Sequence, residues 1–261
     1  MGLTQLNFAG LNKIEVAIAR IQQFEPLEGY FLTHSGGKDS DCTLELCKMA
    51  KVKYEVHYSQ TGIDPPELIY HMREYHPEII ITKPEITIWQ GIQHHGLPTM
   101  FARWCCELLK EQQGQGRLVI TGIRASESVK RSKRQMVESC IKGKGKRFLH
   151  PIIDWTNNDV WEFIKVYNIP YCSLYDEGWK RIGCIGCPMS VNRSKEFERY
   201  PKIKDAWYRA AKRFMENPIN PMPSREKFRQ QFNSVDDLWE WWLQPLSIKN
   251  FKELHERPMF V

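Results

Sequence analysis

The sequence predicts an α/β fold in which a mostly parallel β-sheet carries helices on both faces and is followed by a helical C-terminal extension. Two observations predict the sheet: short strand-like segments alternate with helical ones, and a glycine-rich turn follows the first strand. The extension is predicted because residues 193–216 and 224–256 are helical, basic and aromatic, without strand alternation. We therefore expect a domain over residues 1–190 and an extension over residues 191–261.

The individual elements follow from local patterns of apolar residues, turns and caps. Predicted helices cover residues 10–24, 39–50, 99–113 and 156–167, the last with Thr156 as its N-cap. Predicted strands cover residues 29–33, 54–58, 79–82, 118–121 and 148–153. Because right-handed crossovers make such strands parallel, the loops 35–40, 60–66 and 122–131 are expected to converge at one edge of the sheet.

Composition is that of an ordinary globular protein, with 261 residues, of which 42% are hydrophobic and 26% are charged. No apolar stretch approaches the ~20 residues that cross a bilayer, and the first residues lack the pattern of a signal peptide. We therefore expect a cytoplasmic protein without a membrane partner. Eight cysteines in a reducing compartment are more often metal ligands than disulfides.

Positive charge is concentrated in the segment 124–147. It contains nine Lys and Arg against two Glu, a balance of +7 in a chain whose net charge is +6. Such a segment favours a phosphate-rich partner, either a nucleotide or DNA or RNA, although a solvated loop is the alternative interpretation. The glycine-rich run 142–146 is too poor in helix formers for a stable helix and is expected to be mobile.

The turn Ser35–Ser40 (SGGKDS) is the candidate phosphate-binding loop. Two glycines after a strand allow a sharp turn that points N–H groups at an anion, and the following helix adds its partial positive charge. Lys38 contributes a full charge, and Ser35 and Ser40 contribute hydroxyl groups. The spacing is not that of a Walker A loop.

Two cysteine pairs form the candidate metal site. Cys105-Cys106 lies on a predicted helix, and Cys184-x-x-Cys187 lies in a glycine-flanked turn. Four thiolates can hold a [4Fe–4S] cluster or a zinc ion. The other cysteines have no metal-ligand spacing: Cys42 and Cys47 are expected in the core, Cys172 is a candidate extra thiol near Cys184, and Cys140 remains unassigned.

A resemblance to a known family rests on several motifs in order. SGGKDS after the first strand resembles the PP-loop of the N-type ATP pyrophosphatases, and the chain more narrowly resembles the phosphoadenylyl-sulfate (PAPS) reductase family. The further matching motifs are Thr61-Gly62 with Pro66-Glu67, Thr121–Arg124 with Glu127, Ser128 and Arg131, His150–Trp155 with Asp159–Trp161, Ile169–Tyr171, and Leu174-Tyr175 through Gly183-Cys184. The resemblance covers about residues 28–190 and implies an adenine nucleotide α-hydrolase-like (Rossmann-like) fold with an adenylyl ligand.

The resemblance also implies roles for individual residues. The nucleotide-binding residues would be Ser35, Gly36, Gly37, Lys38, Asp39, Ser40, Gly62 and Gly122. The catalytic residues would be Lys38, Asp39, Arg124 and Arg131, with Asp39 near Mg²⁺ when ATP is the ligand. The metal ligands would be Cys105, Cys106, Cys184 and Cys187, which resemble the [4Fe–4S] site of adenylyl-sulfate reductases, with zinc as the lesser alternative.

The chain departs from the assimilatory reductases in its last 74 residues. Those enzymes carry a catalytic cysteine in a C-terminal tail, whereas no cysteine follows Cys187 here. The preferred hypothesis is therefore an ATP pyrophosphatase that adenylylates an acceptor and couples this to iron–sulfur-assisted sulfur transfer to nucleic acid. In this the chain resembles the cluster-bearing sulfurtransferase component of DNA phosphorothioation systems. A cysteine desulfurase or another sulfur donor would be its partner. The alternatives are a reductase of adenylyl sulfate or PAPS with an atypical tail, and a nucleotide-binding regulatory or scaffold subunit.

Overall fold

The computed structural model describes residues 2–6, 10–139, 145–219, 223–244 and 246–255. Residue contacts divide the chain into two units. The first unit comprises residues 1–60, 64–83 and 112–183, and the second comprises residues 61–63, 84–111 and 184–261. None of the described helices has the length and apolar character needed to span a membrane.

The first unit contains the sheet and the helices connected to it. In chain order its elements are α1 (Lys13–Gln23), β1 (Tyr30–Thr33), α2 (Lys38–Ala50), β2 (Tyr54–Ser59), α3 (Pro66–Tyr75) and β3 (Ile80–Thr82). After the segment that belongs to the second unit come β4 (Leu118–Ile120), a 3-10 turn at Ala125–Glu127, a short helix at Val129–Ser132, β5 (Val137–Ser139), β6 (Arg147–Leu149), a helix at Asn157–Tyr167 and a 3-10 turn at Ser173–Tyr175.

The sheet has six strands in the order β3-β2-β1-β4-β6-β5. All neighbouring strands are parallel except β5, which runs antiparallel to β6 at the edge. The strand order reverses between β1 and β4, which lie side by side with Phe31 opposite Val119. This is the position at which open α/β sheets bind ligands beyond their carboxyl ends.

The core of the first unit is formed by the fully buried central strands and by the buried faces of the helices. Tyr30 and Leu32 on β1 and Ile120 on β4 are fully buried, as in strands that are covered on both faces. Helix α1 begins at a capping box, in which the Asn12 side chain accepts from the Glu15 N–H and the Glu15 carboxylate accepts from the Asn12 N–H.

The second unit is helical. Its helices are Ile88–His95, Trp104–Leu109, Arg193–Arg199, Pro201–Glu216, Pro223–Arg229, Val235–Leu243 and Ile248–His255. Its core is unusually aromatic: Trp207 and Trp242 lie with ring centroids 4.9 Å apart, and Phe214 is fully buried. The predicted single helix 193–216 is two helices because it is interrupted at Tyr200, immediately before Pro201.

The structure confirms the predicted fold class and corrects several of the details. The predicted helix 99–113 is confined to Trp104–Leu109, and the preceding helix Ile88–His95 and the strand β5 were not predicted. Residue contacts group residues 61–63 and 84–111 with residues 184–261, and the boundary after residue 190 stays a prediction. The run 142–144 of the predicted mobile segment lies outside the described residues.

Candidate nucleotide and thiol sites

The phosphate loop connects β1 to α2 and is shaped by its first glycine. Gly36 has φ of +72°, and a Cβ atom placed on it would lie 2.6 Å from Leu68 Cγ. A side chain here would meet both backbone strain and a clash with α3. Gly37 then takes the extended N-cap position of α2 without a side-chain cap, which leaves the first N–H groups of the helix facing the loop.

Hydrogen bonds within the loop hold its shape and leave two donors for a ligand. The Ser40 hydroxyl donates to the Gly37 carbonyl at 2.6 Å and accepts from the Ser35 N–H at 3.3 Å. In the described part of the chain, the N–H groups of Gly37 and Asp39 have no protein acceptor. Together with the start of α2, a helix of 13 residues, these donors form an anion-binding turn.

Two cations meet one carboxylate beside this turn. The Asp39 carboxylate accepts from Lys38 Nζ at 3.1 Å and from Arg124 Nε at 2.6 Å. The side chains of Lys38 and Arg124 are each only 5% exposed, so their charges are weakly screened by solvent. Three of the four predicted catalytic residues are therefore in contact, at the carboxyl end of β1.

Arg124 reaches Asp39 because β4 and its loop approach α2 closely. A Cβ atom on Gly122 would lie 2.6 Å from the Asp39 carbonyl oxygen, so only glycine allows this approach. The Arg124 N–H donates to Glu127 Oε2 at 3.0 Å, and its guanidinium donates to the Ser126 hydroxyl at 3.0 Å. These bonds fix the arginine in its buried position.

The other predicted ligand residues have different surroundings. Arg131 forms an ion pair with Glu127 and is one-third exposed, so it is not in the contact around Asp39. Gly62 has φ of +79°, nothing lies within 4 Å of a Cβ placed on it, and it belongs to the second unit. The structure thus brings together the loop, Arg124 and Gly122.

Sequence reasoning gave Tyr175 no role at the phosphate loop. Its hydroxyl accepts from the Lys38 N–H at 3.2 Å, and Lys38 Nζ lies 5.4 Å from the centre of its ring. Burial raises the pKa of Tyr175, so the phenol stays protonated and retains a donor. The Leu174-Tyr175 pair was part of the family resemblance, but nothing in its local pattern indicated contact with residue 38.

Much of the predicted basic segment is already paired within the protein. Arg124 faces Asp39, Arg131 pairs with Glu127, and Arg134 pairs with Glu138. Lys130 and Lys133 are exposed, while Lys142 and Lys144 lie outside the described residues. The segment therefore presents less positive charge to solvent than its sequence balance of +7 indicates.

All four predicted thiol ligands belong to the second unit. Cys105 and Cys106 lie in the helix Trp104–Leu109, and Cys187 N–H donates to the Cys184 carbonyl at 3.2 Å, which closes a tight turn. Gly186 inside this turn has φ of +77°, and its N–H donates to Glu196 Oε2 at 2.8 Å. Trp207 Nε1 anchors the same turn through the Ile185 carbonyl at 3.1 Å.

The four thiols influence one another electrostatically. A hydrogen bond from Cys105 makes the largest contribution to lowering the pKa of Cys106. Arg103, whose guanidinium nitrogen lies 3.2 Å from Cys106 Sγ, lowers this pKa further. The same hydrogen bond, burial, and the charges of Cys187 and Cys184 raise the pKa of Cys105. Cysteines bind metals as thiolates, and a neighbouring cation stabilises the thiolate form. These partly buried free thiols therefore have the properties of metal ligands.

Spacing of the sulfur atoms bears on the kind of metal group. A single tetrahedral zinc with Zn–S bonds of ~2.3 Å holds its sulfur atoms about 3.8 Å apart. Among the described residues, the one group of three His, Cys, Asp or Glu ligand atoms within 4.8 Å of one another contains no cysteine. Three of the described thiols are therefore not gathered as closely as the ligands of one tetrahedral zinc ion.

The remaining cysteines behave in different ways. Cys42, Cys47 and Cys172 are fully buried in the core of the first unit. Burial raises the pKa of all three thiols, which makes them unreactive core residues. Cys172 therefore lies in a different unit from Cys184, and Cys140 lies outside the described residues.

Together, the reversal of strand order at β1 and β4, the glycine loop and its buried cations define a nucleotide-binding α/β protein of the PP-loop kind. Residues 29–190 match the family model of the phosphoadenosine phosphosulfate reductase domain. The chain belongs to this family.

Individual relatives agree with this assignment. An adenosine 5'-phosphosulfate reductase of Oceanobacillus iheyensis is 32% identical over 155 residues, 54% of this chain and 61% of the relative. An uncharacterized protein of Methanocaldococcus jannaschii is 32% identical over 193 residues, 69% of this chain and 47% of the relative. The chain thus spans less than two thirds of the length of these relatives.

A solved structure supports the fold. The crystal structure of phosphoadenylyl-sulfate reductase from Candida auris, in a phosphate complex, aligns with a TM-score of 0.51. The alignment covers 68% of this chain and 90% of the other, at 20% sequence identity. At that identity the likeness establishes the shared adenine nucleotide α-hydrolase-like fold.

Proposed function

We propose that the protein is an ATP pyrophosphatase that adenylylates an acceptor, and that the adenylylated acceptor then receives sulfur. An acceptor oxygen attacks the α-phosphorus of ATP, the bond from that phosphorus to the bridging oxygen breaks, and pyrophosphate leaves. A sulfur nucleophile at the sulfide level then attacks the acceptor and displaces AMP. Both substitutions are redox-neutral when the sulfur arrives as sulfide. When a persulfide carrier supplies the sulfur, a dithiol reductant provides the two electrons that reduce the outer sulfur to the sulfide level and is itself oxidised to a disulfide.

The observation that carries the proposal is the contact of Lys38 and Arg124 with Asp39 at the glycine loop. Two weakly screened cations beside free backbone donors stabilise the negative charge that develops on phosphate oxygens. Arg124 presents a planar guanidinium, which suits bidentate contact with phosphate. Asp39 is also the carboxylate that could share a Mg²⁺ ion with the triphosphate.

The thiol site supplies the second half of the proposal. Cys105, Cys106, Cys184 and Cys187 would hold a [4Fe–4S] cluster, which when bound can bind or activate sulfur. Arg103 beside Cys106 favours the thiolate form that a cluster requires. The sulfur donor would be a cysteine desulfurase or a comparable persulfide carrier.

A second candidate is favoured by the relatives. Proteins named adenosine 5'-phosphosulfate reductase are up to 32% identical to this chain, and their nucleotide would occupy the same phosphate loop. Such a reductase uses a thiolate to attack sulfur. The 74 residues after Cys187 contain no cysteine that could serve in this way, which favours the adenylylating reaction.

Pyrophosphate release separates these candidates. The full chain, purified without oxygen, is incubated with Mg²⁺-ATP, a sulfur donor, and single- or double-stranded DNA or RNA. We expect pyrophosphate to appear, to depend on acceptor, and to fall at least tenfold in Arg124→Gln. Formation of sulfite from adenylyl sulfate with thioredoxin, without pyrophosphate release from ATP, would establish the reductase instead, and nucleotide binding without either activity would establish a scaffold.

Removing exposed positive charge tests whether nucleic acid is the acceptor. Lys130 and Lys133 are exposed, so Lys130→Gln with Lys133→Gln leaves the buried contact around Asp39 intact. If nucleic acid is the acceptor, its apparent KM should rise and the KM for ATP should not change. An unchanged acceptor KM in this double variant would remove the basic segment from the proposal.

A further inference from the structure

Four buried side chains lie directly behind the phosphate loop. Asp41 in the first turn of α2 is surrounded by three imidazoles: its carboxylate oxygens lie 3.0 Å from His34 Nε2, 3.3 Å from His71 Nε2 and 3.2 Å from His76 Nε2. All four residues are at most 5% exposed. No role in the nucleotide or thiol chemistry accounts for this cluster.

The atoms in this cluster are close without forming the hydrogen bonds expected at such distances. His34 Nε2 and both ring nitrogens of His76 are buried and have no hydrogen-bond partner of acceptable angle. Buried polar atoms are normally paired, and an orphaned one calls for an explanation such as an ion. His71 differs, because its Nε2 is in hydrogen-bond geometry with both Asp41 oxygens.

A metal ion would account for the close approach of buried atoms that form no hydrogen bond. Ligand atoms that point at a common centre, rather than at each other, are separated by about 3.3 Å around a tetrahedral zinc with bonds of ~2.0 Å. The ligand atoms of His34, Asp41 and His76 all lie within 4.8 Å of one another. Imidazole nitrogen and carboxylate oxygen suit borderline divalent ions such as Zn²⁺.

We propose that His34, Asp41 and His76 bind one divalent metal ion of the zinc class, with His71 orienting the Asp41 carboxylate. The ligands come from three places in the first unit: the end of β1, the first turn of α2 and the C-terminal end of α3. His34 immediately precedes the loop Ser35–Ser40 and Asp41 immediately follows it. The ion therefore fastens the two ends of the phosphate loop to each other and to α3.

The hydrogen bond from the Gly36 N–H to His34 Nδ1, at 3.1 Å, leaves Nε2 as the His34 nitrogen that faces Asp41. A neutral His34 ring then carries its proton on Nε2. A metal ion bound at Nε2 replaces that proton and holds His34 as an imidazolate.

Charge gives the ion a consequence for the neighbouring loop. Without an ion, the ionised Asp41 places a buried negative charge one residue beyond Ser40, where phosphate binding is disfavoured. A divalent ion that replaces the Nε2 proton of His34 adds one net positive charge to the cluster. This change favours an anion in the loop, independently of which reaction the protein performs.

Elemental analysis of the full chain tests the proposal. Protein purified without oxygen is loaded with one equivalent of Zn²⁺, passed through a desalting column and analysed for zinc and iron. Wild type should retain about one zinc per chain, and His76→Gln and Asp41→Asn should retain at least tenfold less, with unchanged iron. His94→Gln, a histidine outside the cluster, is the control and should retain zinc. Zinc retained equally in all variants, or absent from wild type, would overturn the proposal.

X-ray absorption on the wild-type protein guards against variants that fail to fold. Zinc in the proposed site has only nitrogen and oxygen neighbours at ~2.0 Å, whereas zinc bound by the cysteines shows sulfur at ~2.3 Å. A first shell of nitrogen and oxygen alone supports the His–Asp site. A shell that contains sulfur assigns the zinc to the thiols and contradicts the proposal.

Discussion

At the scale of single residues, Gly36 shows how little freedom the phosphate loop has. Its positive φ costs an L-residue roughly 1–3 kcal/mol, and the approach of Leu68 adds a steric cost of similar size. Gly178 has a comparable φ of +83°, but nothing lies within 4 Å of a Cβ placed there. Substitutions at both glycines carry the cost of backbone strain, but only a substitution at Gly36 adds the cost of a steric clash. Comparing the two positions therefore separates these costs.

We expect Gly36→Ala to destabilise the protein by about 3 kcal/mol and Gly178→Ala by about 1 kcal/mol. Urea unfolding monitored by circular dichroism measures both. The double variant Gly36→Ala with Leu68→Ala should cost less than the sum of its single changes, because the clash is absent. Strict additivity of the two would show that the Leu68 contact is not the cause.

A second residue-scale feature is the buried ion pair between Lys13 and Asp159. Their charged atoms lie 2.5 Å apart, and both side chains are at most 8% exposed. Burial alone would raise the pKa of Asp159, but hydrogen bonds from Lys13 and Thr156 hold it below its ordinary value. Breaking one partner of a buried pair leaves an uncompensated charge.

Lys13→Met should therefore cost about 3 kcal/mol at pH 7, whereas Lys48→Met, which breaks a half-exposed pair with Glu78, should cost under ~1 kcal/mol. Because the folded pKa of Asp159 is depressed, the contribution of the pair is present above about pH 4 and is lost as the pH falls below it. Urea unfolding at pH 7 and pH 3 measures this. If Lys13→Met lowers the free energy of unfolding equally at pH 7 and pH 3, the ion pair with an ionised Asp159 is not the source of the stability.

At the scale of elements, the helix Ile88–His95 packs against the helix that carries Cys105 and Cys106. A Cβ on Gly91 would lie 2.4 Å from Trp104 Cζ3, so the two helices approach each other at a position without a side chain. Trp104 directly precedes Cys105, and its Nε1 donates to the Gly96 carbonyl at 3.2 Å. The glycine thus fixes the position of the first cysteine pair.

Gly91→Ala should destabilise the second unit by about 1–2 kcal/mol, even though alanine is the better helix former by ~1 kcal/mol. We also expect fewer iron atoms per chain in this variant, because the displaced Trp104 moves the cysteines. Gln93→Ala in the same helix is the control and should leave both properties unchanged. Iron content and thermal unfolding measure the two effects, and a Gly91→Ala variant as stable and iron-rich as wild type would refute the packing argument.

Element prediction succeeded where local patterns were strong and failed where tertiary contacts decide the structure. Strand β1, helix α2 and the N-cap at Thr156 follow from apolar runs, a glycine turn and cap chemistry. Strand β5 has three residues and exists because it pairs with β6, so its own sequence carries little signal. The predicted helix over 99–113 is short because Lys110 and the glycine-containing segment after it do not continue it.

At the scale of the whole molecule, the parallel sheet explains why residues far apart in the sequence could be assigned to one phosphate site. Lys38, Asp39 and Arg124 follow strand ends, and parallel strands bring such ends together. The histidines around Asp41 were not predicted because they are spread over residues 34–76 without a metal-ligand spacing. Only folding brings His34 and His76 to the same carboxylate.

The two units should respond differently to loss of the metal group proposed at the thiols. Because the proposed cluster lies within the second unit, Cys184→Ser should increase hydrogen exchange in residues 201–216 and 235–243. Exchange in the sheet, residues 30–33 and 118–120, should change little. Cys47→Ala, which alters the core of the first unit, is the control and should show the opposite distribution. Equal loss of protection in both units would show that they unfold together.

The carboxylate of Asp39 determines how a phosphate ligand enters the loop. Lys38 and Arg124 already face a protein anion, so a ligand exchanges one anion for another and releases few bound salt ions from solution. The affinity of the phosphate ligand should therefore depend on ionic strength less steeply than it would at a site with two solvent-facing cations. Chloride and other weak anions do not readily compete with a carboxylate held at these distances, which leaves the loop selective for ligands with several negative oxygens.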